Sequence, residues 1–122
     1  MQNNEERNFV LRPTPDQKFR PNAVLPMIKE VVTDKLSATT YNFDEAEDLS
    51  KELSSTIRNR LKGLQLPRYK YIVQVYLAEQ AGQGMATATQ SVWDEDCDSY
   101  VNYRFTNTSI WCQVLVHAIF HY

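Results

Sequence analysis

The hydrophobic period changes once along this chain, at Pro67, and that change limits the architectures open to it. Upstream, apolar residues recur at three- and four-residue steps, the spacing of a helix face; downstream they alternate, the spacing of a strand. Val24, Ile28, Val31, Val32 and Leu36 form one apolar stripe. It predicts a first helix that begins near Pro21-Asn22, with Asn22 as its N-terminal cap, tolerates Pro26 and ends at Thr39-Thr40. Ala46, Leu49, Leu53, Ile57 and Leu61 form a second stripe. Asp44 and Glu47 have the spacing of a capping box, and Gly63 is placed as a left-handed stop. Lys51, Arg58 and Lys62 fall on the polar side, and Arg58, Arg60 and Lys62 suit the negative end of the helix dipole.

Past Pro67, four alternating runs predict four strands, over about 69–79, 85–93, 100–106 and from 110 onward. Ala81-Gly82-Gln83-Gly84, an acidic loop Asp94-Glu95-Asp96-Cys97-Asp98 and Asn107-Thr108 separate them. The last strand has an unbroken apolar side in Cys112, Val114, Val116, Ala118 and Phe120. Two helices followed by four strands predict an α+β fold, with both helices on one face of a four-stranded antiparallel sheet. At 122 residues this is one domain. Residues 18–122 form it, and residues 1–17, with Pro13 and Pro15, read as a flexible N-terminal tail. Phe9-Val10-Leu11 is the one apolar word in that tail, suited to packing onto the domain or to a short strand.

The run 85–93 differs from the other three. Met85, Thr87, Thr89, Ser91 and Trp93 point one way, Ala86, Ala88, Gln90 and Val92 the other, and neither set is clearly apolar. A strand without a buried face is weakly tied to its own core and belongs at an edge, where unpaired N–H and C=O groups invite another chain.

The chemistry-bearing residues do not assemble into a reactive pattern. His117 and His121 share a strand face, but a metal needs two further ligands and only Cys97 and Cys112 are at hand, with Cys112 on the opposite face. No metal and no cofactor are expected; the two histidines read as half-buried or interfacial. Cys97 lies among carboxylates that disfavour a thiolate, and no serine sits in a nucleophile elbow. The acidic loop lacks the glycine and the twelfth-position glutamate of a calcium loop. A formal charge of -2, three glycines and no phosphate-binding pattern argue against nucleic acid and nucleotide. The apolar stretch from Ile110 is too short for a bilayer, and the first residues have no apolar signal core. These features predict a reduced, soluble, intracellular protein that is not an enzyme.

Several words of the sequence match one family in order. Pro67-Arg68-Tyr69-Lys70-Tyr71-Ile72-Val73-Gln74-Val75 resembles the start of the first strand in Tctex-type dynein light chains. Glu79-Gln80, Gly82 and Gly84 at the following turn, Trp93-Asp94, and Asp98-Ser99-Tyr100 agree with the same family. Leu11-Arg12-Pro13 and Phe19-Arg20-Pro21 resemble its second, Tctex-two-like branch. The resemblance spans about residues 9–122. It implies a non-catalytic light chain that forms a dimer by exchange of the second strand and holds the N-terminal segment of a dynein intermediate chain by β-strand addition. Its partner in the dimer is another Tctex-type chain or a second copy. Met85, Thr87, Thr89, Ser91 and Trp93 become the exchanged or partner-contacting strand, with Trp93 as anchor, and Gln74 and Tyr76 its neighbours. The second-branch likeness points to a ciliary or flagellar dynein, hence to cytoplasm, cytoskeleton and axoneme, with microtubules reached only through the motor. A free-standing adaptor that holds cargo or signalling peptides in the same groove is the alternative.

Overall fold

In the computed structural model, which describes residues 18–80 and 98–121, Pro21 opens the first helix, α1 (Pro21–Leu36). The N–H groups of Ala23 and Val24 both donate to the carbonyl of Arg20 (3.0 and 3.1 Å), which makes Arg20 the cap residue. Asn22 therefore lies inside the first turn and caps nothing: proline, with its preset φ and no N–H to satisfy, takes the opening position one residue earlier. Pro26 is accommodated within the helix. All five residues of the expected stripe are buried. The helix stops at Leu36, before Thr39-Thr40, and the Thr39 hydroxyl donates back to the Lys35 carbonyl (2.7 Å).

The second helix, α2 (Ala46–Lys62), buries Leu53, Ile57 and Leu61. Its start corrects the capping-box expectation. Glu45 is the cap residue and no side chain caps the helix. The Asp44 N–H instead donates to the Asn42 side chain (2.9 Å), because an asparagine two residues earlier closes its own turn first. Its end differs as well. Gly63 has φ of -66°, still right-handed, and the left-handed positions fall on Gln65 (54°) and Arg68 (72°). The chain turns after the glycine rather than at it. A Cβ on Gly63 would stand 3.3 Å from the Arg60 carbonyl oxygen, so close backbone approach is what the missing side chain serves there.

Three strands follow: β1 (Tyr69–Glu79), β2 (Asp98–Thr106) and β3 (Ile110–Phe120). The expected bounds hold for β1, and β2 begins two residues before Tyr100. The expected second strand, 85–93, lies outside the described residues. The sheet order is β1-β3-β2, with both pairings antiparallel. Short connections would set sequential strands side by side. Here the last strand instead takes the centre, so β1 and β2 run parallel to each other on its two sides. Glu79 stands opposite Ile110 and Asp98 opposite Ile119.

Both helices lie on one face, α2 over β1 and α1 over β2. Between them and the sheet, the core joins Val73, Val101, Ile110, Cys112, Val114, Val116 and Ala118 to the helix stripes and to Phe19. Each fully buried Val, Leu or Ile contributes roughly 1.5–3 kcal/mol, which is what holds helices that would be marginal alone.

One side chain ties the helical half to the sheet. The Asn107 amide nitrogen donates to the carbonyls of Leu36 (3.0 Å), which also accepts from the Thr39 N–H, and of Thr39 (3.2 Å), just past the end of α1. Its amide oxygen accepts from the N–H groups of Ser109 (2.7 Å) and Ile110 (2.6 Å), closing the β2–β3 turn. The Ser109 hydroxyl in turn accepts from the Tyr41 N–H (2.8 Å). Replacing Asn107 by Ala should cost about 2–3 kcal/mol, read as a fall of roughly 10 °C in the midpoint of a thermal melt. Asn107→Asp, which keeps the acceptor but not the donors, should recover only part of that loss.

Candidate partner-binding surface

With both helices on one side, the other side of the sheet has no helix over it among the described residues. Alternation along β3 sends Trp111, Gln113, Leu115, His117 and Ile119 to that face. The register brings Tyr76 and Arg104 beside Gln113, Gln74 and Asn102 beside Leu115, and Ile72 and Tyr100 beside His117. Ile72, Tyr76 and Tyr100 are each about 40% exposed, half of the large apolar side chains that the described residues leave open. An apolar, aromatic surface on a sheet face is what a partner-binding site presents.

The middle of the face is nonetheless buried. Trp111, Gln113 and Leu115 are 6, 1 and 9% exposed, shielded by the two flanking strands. The Arg104 guanidinium sits over the Trp111 ring, 5.9 Å from its centroid. Gln113 donates its amide nitrogen to Asn102 (3.0 Å) on the diagonal, while its amide oxygen has no hydrogen-bond partner among the described residues. A buried amide oxygen left unmatched costs about 1–3 kcal/mol.

Gln74 and Tyr76 are therefore found on the helix-free face, both exposed. Met85, Thr87, Thr89, Ser91 and Trp93 lie outside the described residues. The histidine pair separates: His117 is half-buried in this face, whereas His121 is exposed past the end of β3, its backbone N–H donating to the Arg68 carbonyl. Among the described residues no three His, Cys, Asp or Glu side chains come together as a metal would require. No helix among them is long and apolar enough to cross a membrane. Trp111, Leu115, Ile72, Tyr100 and Arg104 were not singled out by alternation, which draws the eye to the strictly apolar side of β3. The signal that marks Trp111 and Leu115 is the near-continuous run from Ile110 to Phe120, which a strand buried on both faces requires; Ile72, Tyr100 and Arg104 join them only through the strand register.

A sequence profile described as the Tctex-1 family matches residues 18–119. The chain belongs to the Tctex-1 family. It is 39% identical over 117 residues to "Dynein light chain Tctex-type protein 2B" of Mus musculus, covering 96% of this chain and 81% of that protein. The Homo sapiens protein of the same name is 38% identical, with 96 and 82% covered. "Dynein light chain Tctex-type 5-B" of Xenopus laevis is 30% identical, with 95 and 65% covered. The similarity to the 2B proteins agrees with the second-branch words in the sequence. In this Tctex-type chain α1 and α2 fill one face of the sheet, and among the described residues the outer edges of β1 and β2 and the other face carry no further element.

Two titratable groups on the helix side are shifted, and both shifts argue for packing rather than reactivity. Burial raises the Tyr71 hydroxyl above its ordinary value, helped by neighbouring Tyr69. Burial pushes the Cys112 thiol up to about 12. Cys112 is 0% exposed, so at neutral pH it is a protonated core side chain and no nucleophile. The unfolded thiol ionises near 9.0 while the folded one keeps its proton to about 12. The unfolded state therefore binds fewer protons in that window, and the stability present below pH 9 declines as pH rises toward 12. In denaturant titrations across this range, Cys112→Ala should flatten the decline by up to about 1.4 kcal/mol per pH unit. The native thiol should resist alkylation until the protein unfolds.

Proposed function

We propose that this chain is a non-catalytic dynein light chain that dimerises through exchange of the strand 85–93 and binds the N-terminal segment of a dynein intermediate chain by β-strand addition. The family and the names of its relatives support the first part. The register of the sheet supports the second, and it is the observation on which the reading rests. β1 finishes at one end of β3 and β2 begins at the other, so the chain between them returns the length of the sheet.

A strand in that return path has two edges of its own sheet to choose from. At the outer edge of β2 the link 81–84 has to cross about three strand spacings, roughly 14 Å, around the β2–β3 turn. At the outer edge of β1 the link 94–97 has to cross the same distance. Five peptide steps reach at most about 17 Å, so either path is nearly taut, and connections that cross a turn are avoided. A strand lent to a second chain that faces this one across the helix-free side needs neither stretched link. Gln74 and Tyr76 then lie within the interface.

In this arrangement Met85, Thr87, Thr89, Ser91 and Trp93 line the exchanged or partner-contacting strand. The intermediate-chain segment adds to a free sheet edge, with ladder hydrogen bonds supplying affinity and alternate side chains specificity. The dimer partner is another Tctex-type chain or a second copy, and the host is a ciliary or flagellar dynein, so microtubules are reached through the motor.

Light scattering on the purified chain, alone and mixed with a second Tctex-type chain and an intermediate-chain N-terminal segment, tests the proposal. A pair that captures the segment is expected; a monomer that ignores both overturns it. Trp93→Ala should weaken capture about 30-fold with the far-UV spectrum unchanged, and Tyr76→Lys should weaken pairing about tenfold or more. Capture of peptides without intermediate or heavy chains in extracts of ciliated cells would shift the assignment to a free-standing adaptor.

A further inference from the structure

An imidazole stands among the apolar side chains of the helix-free face. His117 is half-buried there, and the register sets exposed Ile72 on one side of it and exposed Tyr100 on the other. Along β3 its neighbours on the same face are buried Leu115 and half-buried Ile119. Among the described residues, charged positions of this face begin only in the next row. Lys70 on β1 and Asp98 on β2 both stand opposite Ile119, so the two flanking positions carry opposite formal charge. Arg104 is two rows away in the other direction, opposite Gln113, with its guanidinium over Trp111. His121 is exposed past the end of β3. α1 and α2 pack on the opposite face and bring no charge to this one.

Histidine is the side chain whose charge changes between pH 5 and 8, and removal from water favours its neutral form. A second chain laid over Ile72, Tyr100 and Ile119 takes the remaining water from His117. We infer that pairing across the helix-free face is proton-sensitive at His117: the pair holds this imidazole neutral, and protonation drives the chains apart. The inference rests on the pairing proposed above and names what regulates it. A second copy brings Lys70, Arg104 and Asp98 again, two cations against one carboxylate, and so no net field in favour of an imidazolium. The sign follows from linkage. The separated chain binds the proton more readily than the pair does, so dissociation takes up protons and association weakens as pH falls. With two copies both imidazoles are covered, which steepens the response.

Sedimentation equilibrium of the full chain, alone and with a second Tctex-type chain, tests the inference. Between about pH 7.5 and about pH 5.5 the dissociation constant should rise about tenfold or more. His117→Gln and His117→Leu, which cannot take the charge, should each give a constant that does not move with pH. His121→Gln should respond as the wild type does, because that imidazole lies past the strand. The separated chains should keep their near-UV circular dichroism in acid. Wild-type affinity that ignores pH overturns the inference, and so does an equal response in the His117 variants. Loss of the near-UV spectrum in acid also overturns it, because unfolding then separates the chains. A chain that stays monomeric at every pH, alone and with the second chain, overturns the pairing reading and this inference with it. A pair of unvarying affinity overturns this inference alone.

Discussion

The fold depends on β3 being buried on both sides. Its even-numbered residues meet the helices and its odd-numbered ones are covered by side chains from β1 and β2, so ten of its eleven positions from Ile110 to Phe120 either are buried or adjoin a buried one on the same face. Its backbone is paired along both edges, and neither neighbour touches the other. The helices stand over its two neighbours, α2 over β1 and α1 over β2, and its even-numbered side chains fill the core between them. The two peripheral strands need bury only one side each, and this leaves Ile72, Tyr76 and Tyr100 half-open on the far face. A half-open apolar face is the direct consequence of a sheet whose described helices both stand on the same side.

Much of this was legible in the sequence because periodicity reports burial. The stripe Val24-Ile28-Val31-Val32-Leu36 is buried as a unit, and β1 has the bounds its alternation sets. Local end signals were less legible, since several side chains compete for the same orphan groups. Asn42 turns the chain where Asp44 and Glu47 promised a box, and Arg20 caps α1 where Asn22 had the better side chain for it. Strand order was not legible at all. The pairing of β1 with β3 joins segments far apart in sequence, and nothing local in either encodes its neighbour.

Gln74 and Tyr76 were expected as partner neighbours from their position on the less apolar side of β1, and the register places them on the helix-free face. Trp111, Gln113 and Leu115 escaped because alternation along β3 singles out its strictly apolar side, and on the other side only the two histidines were marked, as half-buried or interfacial. A single buried glutamine and a histidine within an otherwise apolar row disguise a second buried face. The residues of 85–93 were identified by the converse argument, a strand with no good face, and their place in the assembly remains with the proposed exchange.

The position of β3 in the sequence has a further consequence. The central strand comes after both helices, β1 and β2 in chain order, so during synthesis it leaves the ribosome after all four. Until it emerges, β1 and β2 have no common neighbour, and both helices carry their apolar stripes with nothing to cover them. The local β2–β3 hairpin, locked by Asn107, can close as soon as β3 is free; β1 joins only after a far longer loop is brought together. A ribosome that stalls before Ile110 therefore releases two amphipathic helices and two unpaired strands, a substrate for chaperones rather than a partly working subunit.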